Sequence, residues 1–317
     1  MRRRSLGRSG LETAPLVFGG NVFGWTADRE TSFSLLDAFV EAGFNAIDTA
    51  DSYSRWVPGH EGGESEAIIG DWLKARGRRD DVLILTKVGS DMGQGRNDLS
   101  PGWIEQAVEA SLRRLKTDRI DLYQAHWHDP ETPQEETLRA FDRLVTAGKV
   151  RAIGVSNHDA GQVAEALATS KREGLAAYQT IQPHYNLYSR DTFEGPLQDL
   201  AVREGLGVIT YFSLESGFLT GKYKSASQIA GTAREGMLKD KFDERGVRIL
   251  ATLGAVAKRL EASPAQVALA WLLTRPGVTA PIVSATSVQQ LNDTLKAAAI
   301  ELSPVDIEDL TEASASL

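Results

Sequence analysis

Apolar residues along this chain fall in short continuous runs, at residues 15–19, 45–48, 82–87, 120–126, 150–155, 178–182, 207–211 and 280–284. Most are rich in Val, Ile and Leu without strict polar alternation, the pattern of parallel strands covered on both faces. Between most of them the spacing changes to i, i+3, i+4, as in an amphipathic helix. Residues 31–41 carry Phe33, Leu36, Ala38 and Phe39. Residues 104–115 carry Ala107, Val108, Ser111, Leu112 and Leu115, and Arg113, Arg114 and Lys116 supply cations that suit a helix C-terminus. The pattern recurs at 134–147 and 162–172.

Eight strand–helix units predict an α/β fold, a single (β/α)8 TIM barrel domain over 1–317. A doubly wound sheet is the rival architecture. Its glycine fingerprint is missing, because "VFGGNVFG" (17–24) carries Asn21 where the second glycine belongs. Residues 2–14, with the turn pairs Leu6-Gly7 and Ser9-Gly10, read as an N-terminal β-hairpin capping the barrel floor. Residues 217–246 form a long charged insertion after the seventh strand, of a length associated with functional lids.

Composition narrows the functional classes. A net charge of −8 argues against nucleic-acid or anionic-membrane partners. The longest apolar runs, such as 265–273 with Gln266 inside, are too short to span a bilayer. Arg2, Arg3 and Arg4 are followed by no apolar region, unlike a secretory signal. With zero cysteines, disulfides, thiol nucleophiles and thiolate metal sites are excluded. A cytoplasmic enzyme acting on a small molecule is the expectation.

In such barrels the chemistry sits at the carboxyl ends of the strands. Those ends carry Asp48 with Tyr53, Lys87, His126 with His128, Ser156-Asn157-His158, Gln182 with His184, and Tyr211 with Ser213. Each alone has an ordinary structural use, Asp48 or Ser156 as a helix cap, Lys87 snorkelling and His126 in a core. Together, at one end of several strands, they favour a site. Two chemistries fit. "HWH" would place two imidazoles on one face of an extended chain, suiting a metal-dependent barrel hydrolase. The ligand set is incomplete, so no metal is expected. Alternatively, reduction of a carbonyl requires hydride at carbon and a proton at oxygen. A tyrosine is a sluggish acid near neutrality, a nearby ammonium lowers its pKa, a carboxylate holds the ammonium, and a histidine orients the carbonyl. Asp48, Tyr53, Lys87 and His126 are that set. Trp25, Trp56 and Trp127 read as an apolar wall of the substrate pocket.

Several ordered motifs carry a resemblance. "GFNAIDTADSY" (43–53), "ILTKVG" (84–89), "SLRRLKTDRIDLYQAHWHD" (111–129), "GKVRAIGVSN" (148–157), "SGFLTGKY" (216–223) and "SPAQVALAWLL" (263–273) resemble the aldo-keto reductase family over essentially the whole chain. The resemblance implies NAD(P)H-dependent reduction of an aldehyde or ketone to an alcohol, with Asp48, Tyr53, Lys87 and His126 as catalytic tetrad. It further implies Gly20 and Asn21 as a first-strand contact, and Ser156, Asn157 and Gln182 around the carboxamide. Tyr211 would stack on the nicotinamide. Ser213, Leu214, Gly217, Leu219, Gly221 and Lys222 would follow the pyrophosphate, and Ser284, Thr286, Gln290 and Thr294 the adenosine end. Thr286 stands where members preferring NADP often carry a cation, and Thr294 where Asn is common. NADP(H) is expected, with NAD(H) as the alternative. The same barrel also serves as a cofactor-binding regulatory subunit on a membrane protein, a second reading.

Overall fold

The computed structural model describes residues 2–229 and 235–315. An antiparallel hairpin, β1 (Arg4–Ser5) and β2 (Glu12–Thr13), comes first. Eight parallel strands follow: β3 (Val17–Gly19), β4 (Ala46–Asp48), β5 (Leu83–Val88), β6 (Ile120–Ala125), β7 (Val150–Ser156), β8 (Tyr178–Gln182), β9 (Gly207–Thr210) and β10 (Val278–Val283). They close into a barrel in the order β10-β3-β4-β5-β6-β7-β8-β9. The first helices are α1 (Arg29–Glu41), α2 (Glu64–Arg76), α3 (Pro101–Leu115), α4 (Gln134–Thr146), α5 (Ala160–Glu173) and α6 (Pro196–Glu204). Then come α7 (Glu235–Leu238), α8 (Glu244–Arg259), α9 (Pro264–Thr274), α10 (Val288–Leu295) and α11 (Pro304–Ala313).

Period-two alternation decides what faces inward. Val17, Ala46, Leu85, Leu122, Ala152, Ile209 and Ala280 form one apolar cluster inside the barrel, while Phe18, Ile47, Ile84, Tyr123, Ile153 and Val208 pack outward against the helices. The expected hairpin closes the floor, and its Leu6 and Leu11 join the interior cluster. Burying each contributes about 1.5–3 kcal/mol. The same alternation places Asp48, Lys87, Gln124 and Gln182 above this plug, all at most 2% exposed. Gly154 must be glycine, because a Cβ there would meet Thr180 Oγ1 at 2.2 Å.

Several segments end differently from the sequence expectation. β6, β9 and β10 stop at Ala125, Thr210 and Val283, one residue early, releasing His126, Tyr211 and Ser284 to the rim. The backbone N–H of His126 still donates to Val88 O at 2.8 Å, so the rim stays fastened. The expected 217–246 insertion is not all loop. It holds 3-10 turns at Ala226–Gln228 and Lys239–Lys241, and the first turn of α8 begins at Glu244, capped by Asp243. Residues 230–234 of that segment, Arg234 among them, lie outside the described residues. No described helix is long and apolar enough to cross a membrane.

Candidate active site

At the end of β5, the Lys87 ammonium is fully buried and uses all its protons. Nζ donates to Asp48 Oδ2 at 2.6 Å, to Thr49 O at 2.8 Å and to Tyr53 Oη at 3.0 Å. Burial works against this charge, but Asp48 and Tyr53 outweigh it and hold the Lys87 pKa above the ordinary lysine value. For Tyr53 the balance differs from the sequence expectation. Burial pushes its pKa up, and the downward pull of Lys87 does not fully offset that together with the upward push of Asp48. The phenol therefore stays protonated at neutral pH. The His126 ring lies 6.0 Å from that of Tyr53, and burial, then the Lys87 charge, holds its pKa well below the usual histidine value. Its imidazole is neutral.

Two partners were missed by the sequence reading. Ser90 Oγ lies 2.9 Å from His126 Nδ1 and itself receives a bond from Ser52 Oγ at 3.3 Å. Gln124, buried beneath the site, stands 3.4 Å from Asp48 Oδ1. An amide inside a run otherwise expected to be apolar was the available signal for Gln124. Nothing local marks Ser90. Asp51 lies in the turn after β4 and is only 2% exposed, with its Oδ1 unpartnered, and burial raises its carboxyl pKa to about 8.

The other expected rim residues divide into those presented at the mouth and those turned away. Asn157 adopts a left-handed backbone and accepts a 2.7 Å bond from Tyr211 Oη at its Oδ1, while Nδ2 donates to His126 O and Ser156 Oγ. Gln182 Nε2 donates to Asp48 Oδ1 at 2.8 Å, so its side-chain Oε1, with no partner among the described residues, is the end available to a ligand. Ser284 Oγ bridges Gly19 O and Asn21 Oδ1, both at 2.8 Å, next to Gly20. Ser213 Oγ is turned into the barrel onto Thr210 O. Leu219 is buried in the core, Leu214 packs against it, and Gly217 and Gly221 turn the chain with positive φ. Lys222 is exposed beside Tyr223. Thr286 donates from both its backbone and its hydroxyl to Gln290 Oε1, whereas the Thr294 hydroxyl donates to its own helix at Gln290 O. The acceptor oxygen of the Gln182 side chain, with an aromatic face at Tyr211, fits the amide and ring of a dinucleotide's nicotinamide.

Trp25, Trp56 and Trp127 are 51%, 49% and 41% exposed, and the ring of Trp56 lies 6.0 Å from Tyr53 and 5.6 Å from Trp25. Trp127 stacks on His126 at 5.9 Å. Of the three, Trp56 is the one in ring contact with Tyr53. A cavity of about 600 Å³ is lined by Asn157, Gln182, His184 and Tyr211 among others, and Tyr53 is not part of its lining. The "HWH" pair is not an extended two-ligand face, because β6 ends before it and His128 stacks on His158 at 5.5 Å. Among the described residues, no three His, Asp or Glu side chains are arranged to hold a metal ion.

The family model described as "Aldo/keto reductase family" matches residues 15–315. An "Uncharacterized oxidoreductase YrpG" from Bacillus subtilis is 38% identical, over 94% of this chain and 91% of its own. A "Probable voltage-gated potassium channel subunit beta" from Oryza sativa subsp. japonica is 35% identical, over 94% and 91% respectively. "Norsolorinic acid reductase stcV" from Emericella nidulans is 33% identical, over 96% of this chain and 79% of its own. With the closed parallel barrel and this rim, these matches mean that the chain belongs to the aldo/keto reductase family, as an NAD(P)-dependent oxidoreductase.

Proposed function

We propose that this chain reduces an aldehyde or ketone to the alcohol, with Tyr53 as general acid. One observation carries the reading: a single buried ammonium, Lys87 Nζ, bonds both Asp48 Oδ2 and Tyr53 Oη. When bound, the nicotinamide supplies a hydride to the carbonyl carbon. Tyr53, protonated at neutral pH, gives its proton to the carbonyl oxygen, and the adjacent Lys87 charge stabilises the phenolate left behind. Asp48 keeps Lys87 charged and aimed. The neutral His126 orients the carbonyl. Ser52 donates to Ser90 Oγ, which directs the Ser90 proton towards Nδ1 and leaves Nε2–H to face the substrate oxygen. Asn157 and Gln182 would hold the carboxamide and Tyr211 the ring. Trp25, Trp56 and Trp127 suit a planar apolar substrate.

A second reading is a cofactor-binding regulatory subunit, favoured by the relative named as a channel subunit. Turnover decides between them. Purified protein with NADPH or NADH and an aromatic aldehyde should consume the reduced cofactor at a rate that depends on both substrates. Tight dinucleotide binding without turnover of a broad carbonyl panel would favour the subunit reading.

A further inference from the structure

Glu215 is an anomaly. It lies between Ser213 and Gly217, in the stretch assigned to an anionic pyrophosphate, where a carboxylate should repel the ligand. The structure turns this charge inward, leaving the residue 5% exposed. Glu215 Oε2 accepts from His184 Nε2 at 3.0 Å, Asn186 Nδ2 at 2.6 Å and Ser189 Oγ at 2.9 Å, while Oε1 pairs with Lys241 Nζ at 2.9 Å. Those donors overcome burial and hold its pKa down to about 2. An ionised carboxylate only accepts, so His184 must donate to it through Nε2–H.

The backbone here is strained. Phe212, Glu215 and Ser216 have φ of 50°, 47° and 53°, the left-handed region that non-glycine residues avoid. Such strain persists only where the surroundings over-determine it. The Glu215 carboxylate supplies that constraint with Asn186, which also donates to Phe212 O at 2.9 Å. His184, fixed by Glu215, stacks on the ring of Tyr211 at 5.4 Å and 25°. Lys241 comes from the far end of the long insertion and lies 4.4 Å over the ring of Tyr188.

We propose that Glu215 is a positioning residue for the dinucleotide cleft, joining segments 184–189, 211–217 and 239–241. Through His184 it sets the seat of Tyr211, and through Lys241 it holds the insertion against the barrel. Lys241 is thereby committed to Glu215 and is not the cation for a 2′-phosphate. The proposal rests on the carbonyl-reductase reading, which places the cofactor along residues 211–222.

The test uses full-length Glu215→Gln and Lys241→Met, with folding checked by circular dichroism. Dissociation constants for NADPH and NADH are read from tryptophan-fluorescence quenching, which needs no turnover. Glu215→Gln removes the charge and should weaken binding about tenfold, with kcat at saturating cofactor within about threefold of wild type. Lys241→Met should weaken it several-fold, and the double variant should be no worse than Glu215→Gln, because the two share one interaction. A folded Glu215→Gln that binds within about twofold of wild type overturns the proposal. If that variant does not fold, Lys241→Met decides, and unchanged binding overturns it equally. Wild-type protein that binds neither dinucleotide instead removes the functional reading beneath it.

Discussion

Lys87 Nζ lies 3.0 Å from Tyr53 Oη, although 34 residues separate the two along the chain. This contact puts a fixed positive charge beside a phenol whose ring lies 6.0 Å from the exposed Trp56, and it makes the acidity of Tyr53 depend on another residue. Tyr53→Phe should therefore keep dinucleotide affinity and lose about 10² to 10⁴-fold in kcat, the usual contribution of a general acid. Lys87→Met should be comparably damaging, because burial would then raise the Tyr53 pKa unopposed. Steady-state kinetics beside fluorescence titration checks both. A Lys87→Met rate that recovers fully at neutral pH would dismiss the coupling.

Ser90 Oγ is the neighbour that orients the His126 ring. Ser90→Ala removes one hydrogen bond, so kcat/KM should fall roughly three- to tenfold, with cofactor binding unchanged. An unaltered kcat/KM would show that the ring is held by its packing alone.

The wall beside Tyr53 predicts a preference for flat apolar carbonyls. Trp56→Ala should raise KM for an aromatic aldehyde about tenfold and leave a short aliphatic aldehyde nearly unaffected, since stacking energy accrues only to the former. Equal effects on both substrates would mean that Trp56 merely props the loop.

Cofactor preference is expected to discriminate weakly between NADPH and NADH, because Thr286 and Gln290 present neutral groups to each other. A 2′-phosphate gains most from an Arg fork. Thr286→Arg should move the kcat/KM ratio towards NADPH by about 1–2 kcal/mol, and no movement would place the phosphate elsewhere.

Stability should respond to Asp51. Its folded carboxyl, raised to about 8, holds a proton that the unfolded chain releases near the ordinary carboxylate pKa. Between those values the folded state binds more protons, so this residue lowers stability as pH rises towards about 8. Asp51→Asn should raise the Tm relative to wild type, more at about pH 8 than at about pH 5. Parallel thermal scans that keep a constant gap would assign the alkaline loss to another group.

The barrel was legible from local pattern alone, because strand and helix periods are short-range properties. Val17, Ile47 and Leu85 each face their side through period-two alternation, and the glycine-containing turns of residues 2–14 announced the hairpin. The candidate site was half legible. Asp48, Lys87, His126 and Gln182 stand at strand ends, so their gathering follows once the barrel closes. What the sequence alone left open was which atoms meet. Gln182 spans 134 residues to give an amide proton to Asp48, and Lys241 pairs with Glu215. Burial, not the neighbouring ammonium, decides the direction of the Tyr53 pKa shift. Periodicity gives each residue a face, but desolvation and hydrogen-bond pairing depend on partners that only the closed barrel brings together.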